Sequence, residues 1–371
     1  MSSAGKTAVV EESLFVSRGF AAEDIVAVRE ATEPADDLGV LCGRLLALFV
    51  VGPAKQRDAM LLVAEVLGMH QRHIEEFEQV RIDPASGAPA KFEARKTSDD
   101  LPNSVVFDYD ASGFGTDSVY IQQSWDASRR ERVSAAGKQH TSLYYYPGYF
   151  DAKLIVNGQV QKHSPVFIET KGWKGIVATR PVPVYLTAAE ITAPGSLGIK
   201  AATLRRKTGS PVFTNTWVDF LNIRAFDGLD AAHFTMEAVL RNTSTVEQSL
   251  CRKIRITVVG KERAIIIPLA AKGCIADLQL LTGDRMISGK DQDLSAFGCD
   301  FRTFQRVSCT VENGHLQIFL NGALILNTPQ EHTIGDIVGL NLAFEGIGEI
   351  KSISLGAGGS AKPVYYEKFN H

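Results

Sequence analysis

The sequence predicts a mainly β protein that begins with an α-helical module and continues as two sandwich-like β regions. Three observations carry this prediction. Apolar residues recur at helical spacing only before about residue 82, alternating apolar and polar segments fill the remainder, and Gly, Pro, Asn and Asp divide those segments at short intervals. At 371 residues, 45% of them hydrophobic, the chain is long enough to bury more than one core.

Residues 1–82 form the helical module. Residues 21–30 and 36–51 have helical character, and the stretch 53–80 opens with Pro53 at a first-turn position. Within it Met60, Leu61, Val63, Ala64, Leu67, Ile74 and Phe77 mark one apolar face. Such a face packs inside the chain, or it serves a homo-oligomer or a second partner. The most apolar run, residues 38–52, is interrupted by Arg44 and stops at Pro53, short of the roughly 20 apolar residues a spanning helix needs, so no membrane span is expected. Residues 1–12 lack the basic start and apolar core of a secretion signal, which makes a cytoplasmic location the default expectation.

Residues 83–101 read as a linker, because Asp83-Pro-Ala-Ser-Gly-Ala-Pro89 offers little that could pack. Residues 102–170 then alternate like strands. Tyr144, Pro147, Gly148 and Tyr149 stand in a Tyr-x-x-Pro-Gly-x-Tyr order, followed by Ala152, Leu154 and Val156 and by Asn157-Gly158. This region resembles the polycystic kidney disease (PKD) type of immunoglobulin-like sandwich, although that family's Asp-Phe-Gly-Asp-Gly signature is replaced after Trp125 by Asp126-Ala-Ser-Arg-Arg130. Residues 171–212, rich in Gly, Pro and Thr, make a junction.

Residues 213–357 are the second β region, and 358–371 a tail. In Val311-Glu-Asn-Gly-His-Leu-Gln-Ile-Phe-Leu-Asn-Gly-Ala-Leu-Ile-Leu326, the pairs Asn313-Gly314 and Asn321-Gly322 tolerate the positive φ of tight turns, so the run predicts two consecutive hairpins. Residues 337–355 add two strands around a Gly-rich bend. The segment resembles the last strands of concanavalin A-like jelly rolls, the sandwiches of lectins, laminin G modules and many glucanases. That resemblance implies a fold hosting both binding and hydrolysis. A PKD-like region, Glu169-Thr-Lys-Gly-Trp-Lys-Gly175, Pro183-Val-Tyr185 and a terminal jelly roll are together similar to a group of bacterial envelope proteins, which implies association with the cell envelope.

The formal net charge of −3, with basic residues split between Arg129-Arg130 and Arg205-Arg206-Lys207, excludes a continuous phosphate-tracking stripe and so a nucleic-acid binder. The cysteines at 42, 251, 274, 299 and 309 show no CxxC spacing, which argues against structural zinc. Four of the five lie in the second β region, which leaves a disulfide open if the protein is exported, but their odd number and the absent signal favour free buried thiols.

Hydrolysis on a jelly roll needs two carboxylates projecting from one strand into the groove. No Glu-x-Asp-x-Glu pattern occurs; Asp219 and Asp227 are eight apart, Glu237 stands alone, and Glu345 and Glu349 flank a bend, all readable as solvated strand faces. Asp284, Asp291 and Asp293 form the best oxygen-rich loop, the type of site that takes calcium, with a solvated acidic loop as the plainer reading. Asp108, Asp110 and Asp117 invite the same pair of readings. His70 and His73 share a helix face, where an exposed polar surface is the plainer reading than a metal site. No Gly-x-Ser-x-Gly elbow, phosphate loop or dinucleotide fingerprint occurs.

Sugar rings stack their C–H faces on aromatic residues, so Trp217, Phe226 and His315 are the candidate ligand-binding residues, against core packing for Trp125 and Trp173. The function expected is non-catalytic recognition of a glycan or protein ligand. A glycoside hydrolase with carboxylates from separate strands, or an assembly protein with sandwich spacers, is the alternative.

Overall fold

The computed structural model describes residues 90–370 apart from 117, 125–128 and 361. The helical module, with its expected role in self-association and its His70 and His73, lies outside the described residues, as do Cys42, Asp117 and Trp125. Among the described residues the protein is mainly β, built as two antiparallel sandwiches in sequence.

The small sandwich uses β1 (Lys91–Lys96), β2 (Asn103–Asp110), β3 (Val119–Gln122), β4 (Arg130–Val133), β5 (Gln139–Tyr144), β6 (Gly148–Val156) and β7 (Gln159–Ile168). One sheet has the order β1-β2-β5, the other β4-β3-β6-β7. β2 alternates strictly between buried and half-buried positions, as a strand with one face on a core must. Its Val105, Phe107 and Tyr109 meet Ile121, Leu154 and Val166 from the other sheet. Residues 91–96, placed in a linker by their composition, form β1; with charge at most positions they make an edge strand, where such residues face water.

The large sandwich opens with β8 (Lys174–Val177) and β9 (Val184–Leu186), then β10 (Thr192–Ala193) and β11 (Ser196–Gly198). The stretch read as a junction thus supplies strands to both large sheets. After a helix at Ala201–Thr208 come β12 (Trp217–Ile223), β13 (Phe234–Asn242), β14 (Ile254–Gly260), β15 (Ala264–Ala271), β16 (Gln279–Thr282), β17 (Met286–Ser288) and β18 (Gly298–Cys299). β19 (Gln305–Glu312), β20 (His315–Leu320), β21 (Ala323–Pro329), β22 (Ile337–Glu345), β23 (Gly348–Ala357) and β24 (Tyr365–Lys368) complete it. One sheet runs β17-β16-β15-β14-β22-β12-β8-β9, with β18 beside β15; the other runs β10-β11-β23-β13-β19-β20-β21, with β24 beside β23.

Between the two large sheets lies a continuous apolar core that includes Phe220, Phe234, Ile256, Leu316, Leu342 and Phe344. Each such side chain contributes about 2 kcal/mol when fully buried. The segment read as a tail returns as β24, and its buried Phe369 packs edge-on against Trp173 with ring centroids 6.0 Å apart.

The expectation of free buried thiols is corrected for one pair of cysteines and holds for two others. Cys251 and Cys274 form a disulfide, whereas Cys299 and Cys309 are free and buried. The bridge forms because the β14–β15 hairpin brings its two open ends together, with the Ala271 amide donating to the Cys251 carbonyl at 2.8 Å. Among the described residues no helix is long and apolar enough to cross a membrane.

The small sandwich packs on the outer face of the β12 sheet. Ile176, Leu221 and Ile223 meet Leu101, Tyr146 and Phe167 there. Two hydrogen bonds reinforce the contact, Thr170 amide to Ile223 carbonyl at 2.8 Å and Tyr185 hydroxyl to Tyr145 carbonyl at 2.8 Å.

Candidate functional site

β12, with the sequence Trp-Val-Asp-Phe-Leu-Asn-Ile, is half-buried at Trp217 and buried at every other position. Alternation sends Val218 and Phe220 into the core and leaves Trp217, Asp219, Leu221 and Ile223 on the outer face. The neighbouring strands fix what stands beside them. Asp219 pairs with Ala343, which pairs with Arg255; Trp217 pairs with Glu345, and Leu221 with Asn341.

Four polar or aromatic side chains therefore share one patch of the outer face. The Arg255 guanidinium lies 3.8 Å from the centroid of the Trp217 ring, a cation–π contact. Asn341 Nδ2 donates to Asp219 Oδ1 at 2.9 Å. Asp219 is only 8% exposed. Burial raises its pKa above the usual 3.8, while the Asn341 hydrogen bond and the Arg255 charge pull it back. Arg255 is exposed on β14, yet the groups crowded around its guanidinium strip enough water from it to lower its pKa, opposed by the Asp219 charge.

A second carboxylate, Glu345, belongs to the same face and is 2% exposed. Its oxygens are committed: Oε1 accepts from the Asn215 amide at 3.0 Å and Oε2 from the Ser249 hydroxyl at 2.8 Å. Glu345 thus ties two loops to the end of β22. Asp219, by contrast, keeps Oδ2 without a hydrogen bond among the described residues.

The sequence-selected residues are divided between surfaces. Trp217 belongs to this patch. Phe226 is 6% exposed, set edge-on to Tyr365 at 5.4 Å and beneath the Arg224 guanidinium, so it serves as packing rather than as an open platform. His315 is exposed at the start of β20 in the other sheet, its Nδ1 3.2 Å from Asn327 Oδ1.

In the acidic loop, Asp284 Oδ2 accepts from the Glu331 and His332 amides at 3.0 and 3.1 Å, and Oδ1 lies 3.1 Å from His332 Nδ1. Asp293 Oδ1 accepts from the Ser295 amide at 2.8 Å, and that bond lowers its pKa. Asp291 is exposed in the intervening turn. Among the described residues no group of three or more His, Cys, Asp or Glu side chains is placed to hold a metal ion.

Asp219, Arg255 and Asn341 were not selected from the sequence as site residues, and the reading of Asp219 and Glu345 as solvated faces is corrected by their burial. One signal was available. An acid flanked by apolar residues at both alternations marks a strand covered on both faces, where a carboxylate has a purpose.

No protein-family model matches the chain, and no curated protein matches it. Solved structures similar to part of it include the carbohydrate-binding module CBM66 from Bacillus subtilis, at 9% identity over 50% of this chain and 96% of that one, TM-score 0.26. Sheep galectin-11 in complex with glycerol is similar at 9% identity over 37% of this chain and 95% of that one, TM-score 0.25. An alginate lyase from Corynebacterium sp. is similar at 11% identity over 50% of this chain and 93% of that one, TM-score 0.28. Likenesses of this size carry no argument about fold or function.

Proposed function

We propose that this chain is a non-catalytic glycan-recognition protein, with a concanavalin A-like large sandwich as its binding domain and a PKD-like small one beside it. The observation that carries this reading is the patch in which the Trp217 ring, the Arg255 guanidinium and the free oxygen of Asp219 adjoin. An aromatic ring with a few convergent polar groups is the usual composition of a small-ligand site. The Trp217 ring would take the apolar face of a sugar, and Asp219 and Arg255 would fix its hydroxyls.

The lack of a second available carboxylate favours binding over hydrolysis. General acid catalysis with a nucleophile or base needs two carboxyl groups free to reach the scissile bond. Glu345 has both oxygens occupied, which leaves Asp219 as the one available carboxylate of the patch among the described residues.

The test is titration of the whole chain with a panel of oligosaccharides, followed by product analysis. Binding without cleavage, weakened at least about tenfold by Trp217→Ala, is expected. Release of shortened products would move the protein into the enzymes, and binding indifferent to Trp217→Ala would place the site elsewhere.

A further inference from the structure

We propose that the small sandwich completes this site through the Tyr146 hydroxyl, and that the ligand is an uncharged sugar presenting adjacent hydroxyl groups. The proposal rests on the glycan reading above and adds a second wall and a ligand class to it.

Tyr146 follows β5 in the run Tyr144-Tyr-Tyr-Pro-Gly148. It is held from both sides. The neighbouring Tyr145 carbonyl accepts from the Tyr185 hydroxyl at 2.8 Å, and Tyr146 itself packs on Ile176, Leu221 and Ile223 of the outer sheet face. Leu221 is two residues from Asp219 on that face, which puts the phenol beside the carboxylate. Burial raises the pKa of Tyr146, and the nearby Asp219 charge raises it further.

The two groups nonetheless do not bond to each other. Among the described residues Asp219 accepts only from Asn341 Nδ2, and the Tyr146 hydroxyl has no hydrogen bond. A phenol that can donate and a carboxylate oxygen that can only accept are thus left near each other with hydrogen-bonding capacity that a ligand can use. A pair of adjacent sugar hydroxyls satisfies both: one donates to Asp219 Oδ2, and the other accepts from Tyr146. A uronate would bring its own carboxylate against Asp219, and because the Arg255 charge in the patch is already set against Asp219, the added negative charge is disfavoured relative to a neutral hydroxyl.

The experiment uses the full chain in calorimetric titrations with cello-, xylo-, manno- and galacto-oligosaccharides on one side and oligogalacturonate and oligomannuronate on the other. A neutral sugar should bind at least about tenfold more tightly than either uronate. For that sugar Tyr146→Phe, which keeps the ring and its packing, should weaken binding about tenfold. Tyr149→Phe, outside the site, should leave binding unchanged. Preference for a uronate that still depends on Trp217 would overturn the ligand class while leaving glycan recognition standing. Unchanged affinity in Tyr146→Phe, with Trp217→Ala impaired, would overturn the role of the small sandwich alone. No binding by any member of the panel would overturn both this inference and the reading beneath it.

Discussion

Asp219 and Glu345 occupy the same face of the same sheet, are both buried, and are used in opposite ways. Glu345 satisfies the Asn215 amide and the Ser249 hydroxyl with one oxygen each. Asp219 spends one oxygen on Asn341 and leaves the other open. A buried carboxylate with complete hydrogen bonding is part of the scaffold; one with an open acceptor carries a desolvation cost that nothing within the fold fully offsets. Uncompensated costs of that kind gather at functional sites.

The contrast can be broken most severely at Glu345. Glu345→Ala strands the buried Ser249 hydroxyl and the partly buried Asn215 amide at once and should lower unfolding stability by about 4 kcal/mol, read as a shift in urea midpoint. If stability stays within about 1 kcal/mol of wild type, the loops do not depend on this carboxylate. Next in size is the bridge beside the same loop. Replacing Cys251 and Cys274 together with serine should cost about 3 kcal/mol, and an unchanged midpoint under oxidising conditions would show that the bridge does not constrain the chain.

Asp219→Asn should act in the opposite direction. With the buried charge gone, stability near neutral pH should rise by on the order of 1 kcal/mol while glycan binding falls. The pH dependence has a definite sign. Because burial raises the folded-state pKa above 3.8, the folded protein holds this proton to higher pH than the unfolded chain does. Stability from this group is therefore complete below the unfolded value and declines as pH climbs through the folded one. The advantage of Asp219→Asn over wild type should grow as pH rises above the ordinary carboxylate value of 3.8, and a difference independent of pH would mean that Asp219 is not the titrating group.

Local chemistry was legible in the sequence wherever the backbone itself dictates the residue. Asn313-Gly314 and Asn321-Gly322 adopt φ of 52°, 71°, 52° and 86° and close the hairpins at Glu312–His315 and Leu320–Ala323. Asn157-Gly158 does the same between β6 and β7, with φ of 52° and 80°. What escaped depends on neighbours distant in sequence. A charged residue in a strand reads as facing water, and Asp219 is buried only because the core covers one face of β12 and the small sandwich packs against the other. Trp217 was selected from the sequence because an aromatic ring announces itself; Arg255 and Asn341 were not, because their place beside it comes from register with β12 through β22. The Cys251–Cys274 bridge likewise follows from a pairing that spacing alone does not reveal.

The hydrogen bond from Trp173 Nε1 to Glu367 Oε2, 2.8 Å long, joins residues 194 positions apart. Tyr365 extends it, its hydroxyl meeting the same carboxylate oxygen and accepting from Asn222 Nδ2 at 3.0 Å. During synthesis Trp173 emerges early and must wait for nearly the whole large sandwich before its partner exists. Closing contacts this far apart is entropically costly and slow. The small sandwich, whose strand pairs all lie within residues 91–168, can be complete while the large one is still an open sheet. The proposed binding face is then assembled in the order of translation, with the smaller wall standing first and the larger one settling against it.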